Sequence, residues 1–370
     1  MRSVAHIGRY AVNHRVGALV RPVLARPFRG NSRQRVAVLY EPNRIAYAQV
    51  YPFVFHAREF EARHDIQLRF FSVEDLEAVD FSGIDTILFQ LWFTREPSVF
   101  ELIFDRAVAG GARLVAFLDS FAHNDLRFAE LINGHVDYYL KKSLFRDLDA
   151  YARPTLGHTN LTDHYQRAFG IADETYNWPI PEGFTNKLRL SPNFFTAPRL
   201  HDLFVNQDLD AVLARQRDID LHARMGRKGS AWYTAMRDQA LAQAQALKGV
   251  RVVADGMVDL KTFHSEMARS RMCFSPFGYG EVCWRDVESM AHGAVLLKPS
   301  MDHLRTLPDL YEADVTYVPL AWDCSDLAEK VDWVTAHPDA AQAMVSEAFT
   351  RVRNYIMDRR FLTDMAFLFS

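Results

Sequence analysis

The chain has 370 residues and a formal net charge of -3 at pH 7, and its composition is 49% hydrophobic and 24% charged. This length exceeds the size at which one hydrophobic core stops growing, so we expect two globular domains with a cleft between them. The nearly balanced charge argues against nucleic acid as a partner, and three cysteines without paired spacing argue against disulfides and structural zinc and favour a reducing, cytoplasmic setting.

The first segment, residues 1–34, is a basic arm. Residues 1–35 contain eight arginines and no Asp or Glu, with apolar residues between the arginines. Such an arm can lie on an anionic membrane surface, or it can be a disordered leader or a transit peptide, and all three interpretations stay open. No run of 18 or more apolar residues occurs in the sequence, so no membrane-spanning helix is predicted.

Residues 35–190 alternate strand-like and helical segments. Short apolar runs typical of buried strands occur at 36–40, 66–71, 86–91, 113–118 and 136–140. This alternation predicts a parallel sheet covered by helices on both faces. The pattern weakens between 154 and 198, where several prolines interrupt it, and we place the domain boundary at about residue 190.

Residues 191–350 show a second α/β pattern. Strand-like runs at 219–223, 250–253 and 272–275 alternate with helical segments at 233–247 and 260–269. Two further helical segments, 325–336 and 339–358, close the chain. The prediction is a second α/β domain that follows the first.

The segment 272–299 reads as strand, glycine-containing loop, helix, glycine and strand. In an open parallel sheet, ligands bind beyond the carboxyl ends of the strands, and the next helix N-terminus offers free amides to phosphate. We therefore expect the loop to bind a ligand through Ser275, Gly278, Tyr279, Gly280 and Glu281. Arg285 and Glu288 are three residues apart on the predicted helix, so one ligand can touch both. A carboxylate suits the two hydroxyls of a ribose and a guanidinium suits a diphosphate, whereas the alternative is an exposed ion pair.

This segment resembles the donor-binding stretch of GT-B glycosyltransferases. Arg285-Asp-Val-Glu288-Ser-Met-Ala-His-Gly293 is similar to the Arg-x-x-Glu-Ala-x-x-x-Gly helix of the exostosin-like group and to the Glu-Ala-Met-Ala-x-Gly helix of the group-1 class. Residues 268–278 are similar to the strand and loop before that helix, and the resemblance extends over roughly 219–353. It implies two Rossmann-like domains facing each other across a cleft, with a nucleotide sugar held by the second domain. It also implies that a C-terminal helix, 351–370, crosses back to the first domain.

The resemblance departs from the group-1 pattern at one position. That pattern has a glutamate eight residues before Glu288, where this chain has Gly280 with Glu281 beside it. Retaining chemistry on that glutamate is therefore not implied here, and the exostosin-like match favours inversion. Gly226, Arg227 and Lys228 resemble the glycine and basic residues that hold the donor diphosphate in GT-B enzymes, although a basic turn exposed to water is the alternative.

No metal or other cofactor is expected, because basic side chains stabilise the leaving diphosphate in metal-independent members of this fold. Asp-x-Asp triplets occur at 147–149, 208–210 and 218–220, but two of them lie in helical or linker sequence, and we discount all three. Asp119 and His123 follow a predicted strand and are the candidates for the base that deprotonates the acceptor, with Glu41 as a third. A helix N-cap is the alternative for Asp119, and Lys141 and Lys142 are either ligands of an anion or a solvated pair.

The predicted function is transfer of a sugar from a nucleotide-sugar donor to a hydroxyl of a glycan or glycolipid, in surface polysaccharide assembly. Two alternatives stay open: a sugar-nucleotide epimerase of the same fold, and a catalytically silent protein that binds a nucleotide sugar. The sugar, the nucleotide and the acceptor depend on pocket contacts for which the sequence has no recognisable motif.

Overall fold

The structure is a computed structural model that describes residues 28, 30, 32–254 and 256–369. Most of the basic arm, residues 1–34, lies outside the described residues, and so does the proposed membrane contact. Among the residues described, no helix combines the length and the apolar character needed to cross a membrane.

The first α/β unit extends to residue 190. Its strands are β1 (Gln34–Tyr40), β2 (Ile66–Ser72), β3 (Thr86–Phe89), β4 (Leu114–Asp119), β5 (Tyr138–Lys141), β6 (Ser143–Phe145), β7 (Thr155–Leu156), β8 (Thr175–Tyr176) and β9 (Leu188–Leu190). Its helices are α1 (Arg44–Phe55), α2 (Ala57–His64), α3 (Pro97–Gly110), α4 (Ala129–Ile132) and α5 (Asn160–Phe169), with 3-10 turns at Val73–Ala78, Leu148–Ala152 and Phe184–Lys187.

Six of these strands form one parallel sheet in the order β2-β1-β3-β4-β5-β9. Val36 to Tyr40 of β1 are fully buried, because helices cover both faces of the sheet. All the strands point their carboxyl ends to one edge, which carries the loops after β1, β3, β4 and β5. That edge faces the second unit.

The second α/β unit begins after a proline-containing connection. Its strands are β10 (Ile219–His222), β11 (Val252–Val253), β12 (Ser270–Phe274), β13 (Val295–Pro299), β14 (Leu304–Thr306) and β15 (Val318–Leu320). Its helices are α6 (Pro198–Asn206), α7 (Leu209–Leu213), α8 (Ala231–Gln245), α9 (Leu260–Ala268), α10 (Trp284–His292), α11 (Leu327–Ala336), α12 (Pro338–Met357) and α13 (Arg360–Asp364), and a 3-10 turn at Ala366–Phe369 follows.

The second sheet is also parallel, in the order β11-β10-β12-β13-β15. Two parallel sheets with alternating helices confirm the predicted α/β class. One pair of strands joins the units: β14 runs antiparallel to β6, with Leu304 opposite Phe145.

The C-terminal segment contacts the core of the first unit. The ring of Phe361 lies 4.8 Å from that of Phe53, and the ring of Phe369 lies 5.0 Å from that of Phe60. The Thr86 hydroxyl donates to the carbonyl of Leu368 at 3.4 Å. Residues from the end of the chain therefore complete the packing around α1, α2 and β3.

Candidate active site

The loop between β12 and α10 is fixed by one buried carboxylate, that of Asp286. It accepts hydrogen bonds from the Ser275 hydroxyl at 2.5 Å, the Tyr311 hydroxyl at 2.8 Å and the Cys283 amide at 2.9 Å, and Lys298 lies 3.1 Å away. The Cys283 contact caps the helix, because Asp286 occupies its first turn. The two ends of the loop are thus anchored to each other and to β13.

In this network, the Ser275 side chain supports the loop rather than facing a ligand. Its side chain is fully buried and its hydroxyl is used by Asp286, which differs from the expectation that Ser275 binds a ligand. Gly278, Tyr279 and Gly280 form the part of the loop that faces the first unit.

Gly280 lies where the two units touch most closely. A Cβ atom at this position would stand 1.7 Å from the carbonyl oxygen of Ala122, so only glycine fits. The next residue, Glu281, is fully buried and accepts a hydrogen bond from Asn160 at 2.8 Å, with His303 at 3.4 Å. Burial raises the pKa of Glu281, but its hydrogen bonds with His303 and Asn160 outweigh that effect and hold the pKa below its usual value.

Two arginines without an anionic partner lie beneath this loop. Arg237 of α8 is 5% exposed and Arg285 of α10 is half-buried, and within the described part of the chain neither makes a hydrogen bond or an ion pair. A guanidinium nitrogen of Arg237 lies 3.9 Å from the position that a Cβ of Gly278 would take. Burial lowers the pKa of Arg237, and the positive charge of Arg285 nearby lowers it further. An unpaired buried cation is costly, so this cluster has the properties of an anion site.

The predicted basic turn after β10 lies next to the same loop. The Tyr279 hydroxyl accepts from the Ser230 amide at 2.9 Å, and its ring stacks on that of Tyr233 with centroids 4.6 Å apart. Tyr233 also lies below the guanidinium of Arg237 and donates to the carbonyl of Gly226 at 3.4 Å. The side chains of Arg227 and Lys228 are exposed, and Arg227 pairs with Asp238 at 2.8 Å.

Glu288 and Arg285 contact different groups, although they lie on the same helix. Its carboxylate pairs with Arg199 of α6 at 2.7 Å, and Arg199 also lies 3.2 Å from a ring nitrogen of His264. Arg285 instead lies near His222, whose pKa is lowered by burial and then by the Arg285 charge. A ribose at Glu288 must therefore share that carboxylate with Arg199.

His123 of the first unit lies opposite the loop. Its ring centroid is 6.1 Å from that of Tyr279, and its Nδ1 has no hydrogen-bond partner among the described residues. Burial, and then the charge of Arg127, lowers the pKa of His123 to about 4. The imidazole is therefore neutral near pH 7, which is the state that can accept a proton, and its lowered pKa makes it a weaker base than an exposed histidine.

The other candidate bases are held by neighbouring cations. The Asp119 carboxylate is 1% exposed and accepts hydrogen bonds from the Tyr139 hydroxyl at 2.9 Å and from Lys141. Glu41 accepts two hydrogen bonds from Arg95, at 2.8 and 2.9 Å. Lys142 is buried and donates to backbone carbonyls, so neither lysine belongs to a solvated pair. We expected Asp119 to be a candidate for the base that deprotonates the acceptor. In the structure it is instead paired with Lys141, which the next strand, β5, brings beside it.

A cavity of about 980 Å³ opens beside this site, between the loop after β1 and the start of α10. It is lined by Arg44, Trp92, Arg95, Arg199 and Trp284, among others. We call it the Trp284 cavity, because Arg44 and Arg199 both lie over that ring, at 5.6 and 5.3 Å from its centroid. Within the described ranges, no group of three or more His, Cys, Asp or Glu side chains has the arrangement of a metal site.

Arg199 and Arg237 are the site residues that sequence reasoning missed. Arg199 lies in α6 and Arg237 in α8, outside the glycine-containing loop and the basic turn that the sequence marks, so no local pattern identifies them. The burial and the ion pairing of such an arginine become evident only when the residues that the fold packs around it are known.

No protein-family model matches the chain, and no curated protein matches it in sequence. Among solved structures, a glycosyltransferase from Rickettsia africae is similar, with a TM-score of 0.50 and 10% identity over 92% of this chain and 99% of that one. The chain has the GT-B fold.

Two other structures have lower scores. Sucrose-phosphate synthase from Thermosynechococcus elongatus has a TM-score of 0.48, with 13% identity over 91% of this chain and 100% of that one. A UDP-GlcNAc 2-epimerase from Neisseria meningitidis, bound to UDP-GlcNAc, has a TM-score of 0.42, with 9% identity over 89% and 100% of the two chains.

Proposed function

We propose that the protein is a glycosyltransferase that moves a sugar from a nucleoside-diphosphate sugar to a hydroxyl of a glycan or glycolipid. The observation that carries this proposal is the pair Arg237 and Arg285, two cations without an anion beneath the Gly278–Gly280 loop. The pair lies at the carboxyl edge of the second sheet, where ligands of open α/β sheets bind. A diphosphate supplies the missing negative charge.

In the transfer, the acceptor oxygen forms a bond to the anomeric carbon of the donor sugar. The bond from that carbon to the β-phosphate oxygen breaks, and its electron pair stays on the diphosphate. Arg237 and Arg285 stabilise the charge that develops there. We assign the acceptor's proton to Nδ1 of His123, which is neutral, unpartnered and opposite Tyr279.

The same residues and the sequence also support proposals about the metal requirement, the ribose contact and the cellular setting. The two arginines supply the positive charge that a divalent cation supplies elsewhere, so we propose a metal-independent enzyme. From the sequence resemblance we propose a hexosyl- or related transferase of the exostosin-like kind. Glu288 is assigned to the donor ribose, shared with Arg199. Surface polysaccharide assembly at the cytoplasmic face of a membrane, reached through residues 1–34, is the proposed setting.

The test is an assay of the full chain with UDP-, GDP- and ADP-sugars, with and without a glycolipid extract. We expect free nucleoside diphosphate and a glycosylated product, and about 10²- to 10³-fold slower release in Arg237→Gln and Arg285→Gln. Arg251→Gln is the matched control, because Arg251 is an exposed arginine paired with Asp218 at the opposite end of the sheet. An epimerised nucleotide sugar, or nucleotide binding without turnover, would replace the proposal with one of its two alternatives.

A further inference from the structure

A second cavity, of about 440 Å³, lies between the units, and two of its lining residues, Asn160 and His303, contact Glu281. Its walls include Asn124, Tyr151, Asn160, Trp178, His303 and Trp322. It shares no lining residue with the Trp284 cavity. We call it the Trp178 cavity.

The amide of Asn124 is oriented by a chain of hydrogen bonds. The Phe145 amide donates to the Tyr151 hydroxyl at 3.3 Å, and that hydroxyl donates to Oδ1 of Asn124 at 3.0 Å. Asn124 is 2% exposed, and its Nδ2 has no partner among the described residues. The cavity wall therefore offers a buried, preoriented donor whose own hydrogen bonds are unmade.

Asn160 offers the complementary group. Its Nδ2 donates to Glu281 at 2.8 Å, which fixes the amide orientation and leaves its buried Oδ1 without a partner in the described structure. Asn124 and Asn160 both line the cavity, and between them they carry a buried donor and a buried acceptor without a partner among the described residues. Hydroxyl groups satisfy both, because each hydroxyl can donate and accept.

Two tryptophans supply apolar surface. The indole N–H of Trp178 donates to the carbonyl of His158 at 2.8 Å, and that of Trp322 donates to the carbonyl of Ser300 at 3.1 Å. Both indole N–H groups are already used, so the surface that these side chains add to the cavity wall is apolar, and Arg127 lies over the Trp178 ring at 5.4 Å from its centroid. Apolar walls with a few fixed polar groups are typical of small-ligand sites of this volume.

The charges around the cavity are balanced. Asp125 pairs with Arg127 at 2.6 Å, Asp163 pairs with Arg167 at 2.8 Å, Asp147 pairs with Arg153, and Arg146 lies 3.4 Å from Asp309. No carboxylate among these is left to attract a cation, and no arginine among their partners is left for a phosphate. The electrostatics favour an uncharged ligand.

We propose that the Trp178 cavity binds a neutral pyranose unit of a glycan. The ring carbons of the sugar lie against the tryptophans, and its hydroxyls bond to Nδ2 of Asn124 and Oδ1 of Asn160. Asn160 also donates to Glu281, so it links the bound sugar to the residue that ends the Gly278–Glu281 loop. The identity of this glycan as the acceptor rests on the proposed function, whereas the site itself does not.

The test is saturation-transfer NMR followed by titration of the full chain. The probes are methyl glycosides of glucose, galactose, mannose and N-acetylglucosamine, together with their disaccharides. We expect at least one to bind, about tenfold more weakly to Trp178→Ala and about fivefold more weakly to Asn124→Ala. Trp333→Ala is the matched control, because Trp333 is a partly exposed tryptophan of α11 outside the cavity, and it should bind like the parent protein.

Absence of binding by every probe overturns the inference, and so does equal affinity in the Trp178→Ala and Asn124→Ala variants. A titration with UDP and GDP in the same samples separates the two proposals. Nucleotide binding without sugar binding contradicts only the glycan site. Sugar binding without nucleotide binding contradicts only the proposed transferase.

Discussion

Replacing Arg237 with methionine should stabilise the ligand-free protein and weaken its binding of a nucleoside diphosphate. Arg237 is 5% exposed and has no ion pair within the described residues. Methionine retains most of the apolar stem while removing a charge that the protein interior solvates poorly. The two effects have opposite signs, because the charge that costs stability is the one that binds the ligand.

The loss of the buried charge sets the expected changes in stability and in nucleotide affinity. Replacing buried charges with apolar side chains raises the free energy of unfolding by about 1 to 4 kcal/mol, and each kcal/mol moves Tm by about 2 to 4 °C for a domain of 150 to 250 residues. Hydrogen bonds to a charged group contribute about 1.5 to 3 kcal/mol, so the Kd should rise by about 10- to 150-fold.

The assay is scanning calorimetry of the ligand-free proteins together with calorimetric titration of UDP and GDP. Arg251→Met is the control, since Arg251 pairs with Asp218 at 2.7 Å on an exposed surface, and neither quantity should change much. A lower Tm with unchanged affinity in Arg237→Met would refute the reasoning, because it would show that the arginine supports the fold rather than a ligand.

Four further predictions concern the site and the arm. Gly280→Ala should lose several kcal/mol of stability, because its Cβ would meet the Ala122 carbonyl at 1.7 Å, whereas Gly134→Ala, with open space around it, should be nearly neutral in thermal melts. Turnover should fall only as the pH drops towards about 4, where His123 becomes protonated, and a pH–rate limb near 6.5 that disappears in His123→Gln would contradict the lowered pKa. Activity should survive EDTA, and loss of turnover that manganese restores would disprove the metal-independent mechanism. Deletion of residues 1–34 should release the protein from anionic vesicles while its nucleotide affinity stays unchanged. Equal vesicle binding by the full-length and the truncated protein would contradict the membrane-surface arm and favour a disordered leader.

Much of the fold was predictable because buried parallel strands are continuous apolar runs. The predicted strand at 66–71 is β2, Ile66–Ser72, and the run at 36–40 lies inside β1, Gln34–Tyr40. The pairing of β6 with β14 was not predictable, because these three-residue strands are far apart in sequence and have no local pattern. The GT-B fold followed from the resemblance and is confirmed.

The candidate site was predictable only in part. The sequence places Asp119 and Ser275 at the ends of predicted strands, but their partners, Lys141 and Asp286, become evident only from the folded arrangement. The same holds for Glu288, whose carboxylate is already paired with Arg199. Sequence position identifies the edge of the sheet, whereas three-dimensional packing decides which charges on that edge stay unpaired.

The C-terminal contacts with the first unit have a consequence for synthesis of the chain. Phe361 and Phe369 cover Phe53 and Phe60, and Leu368 accepts from Thr86, yet these partners are separated by almost the whole chain. A domain that emerges early from the ribosome usually folds before the rest is made. Here the first unit leaves the ribosome with an apolar surface around α1 and α2 still uncovered. Residues 361–369 cover that surface, so removing them should destabilise the part of the protein that was made first.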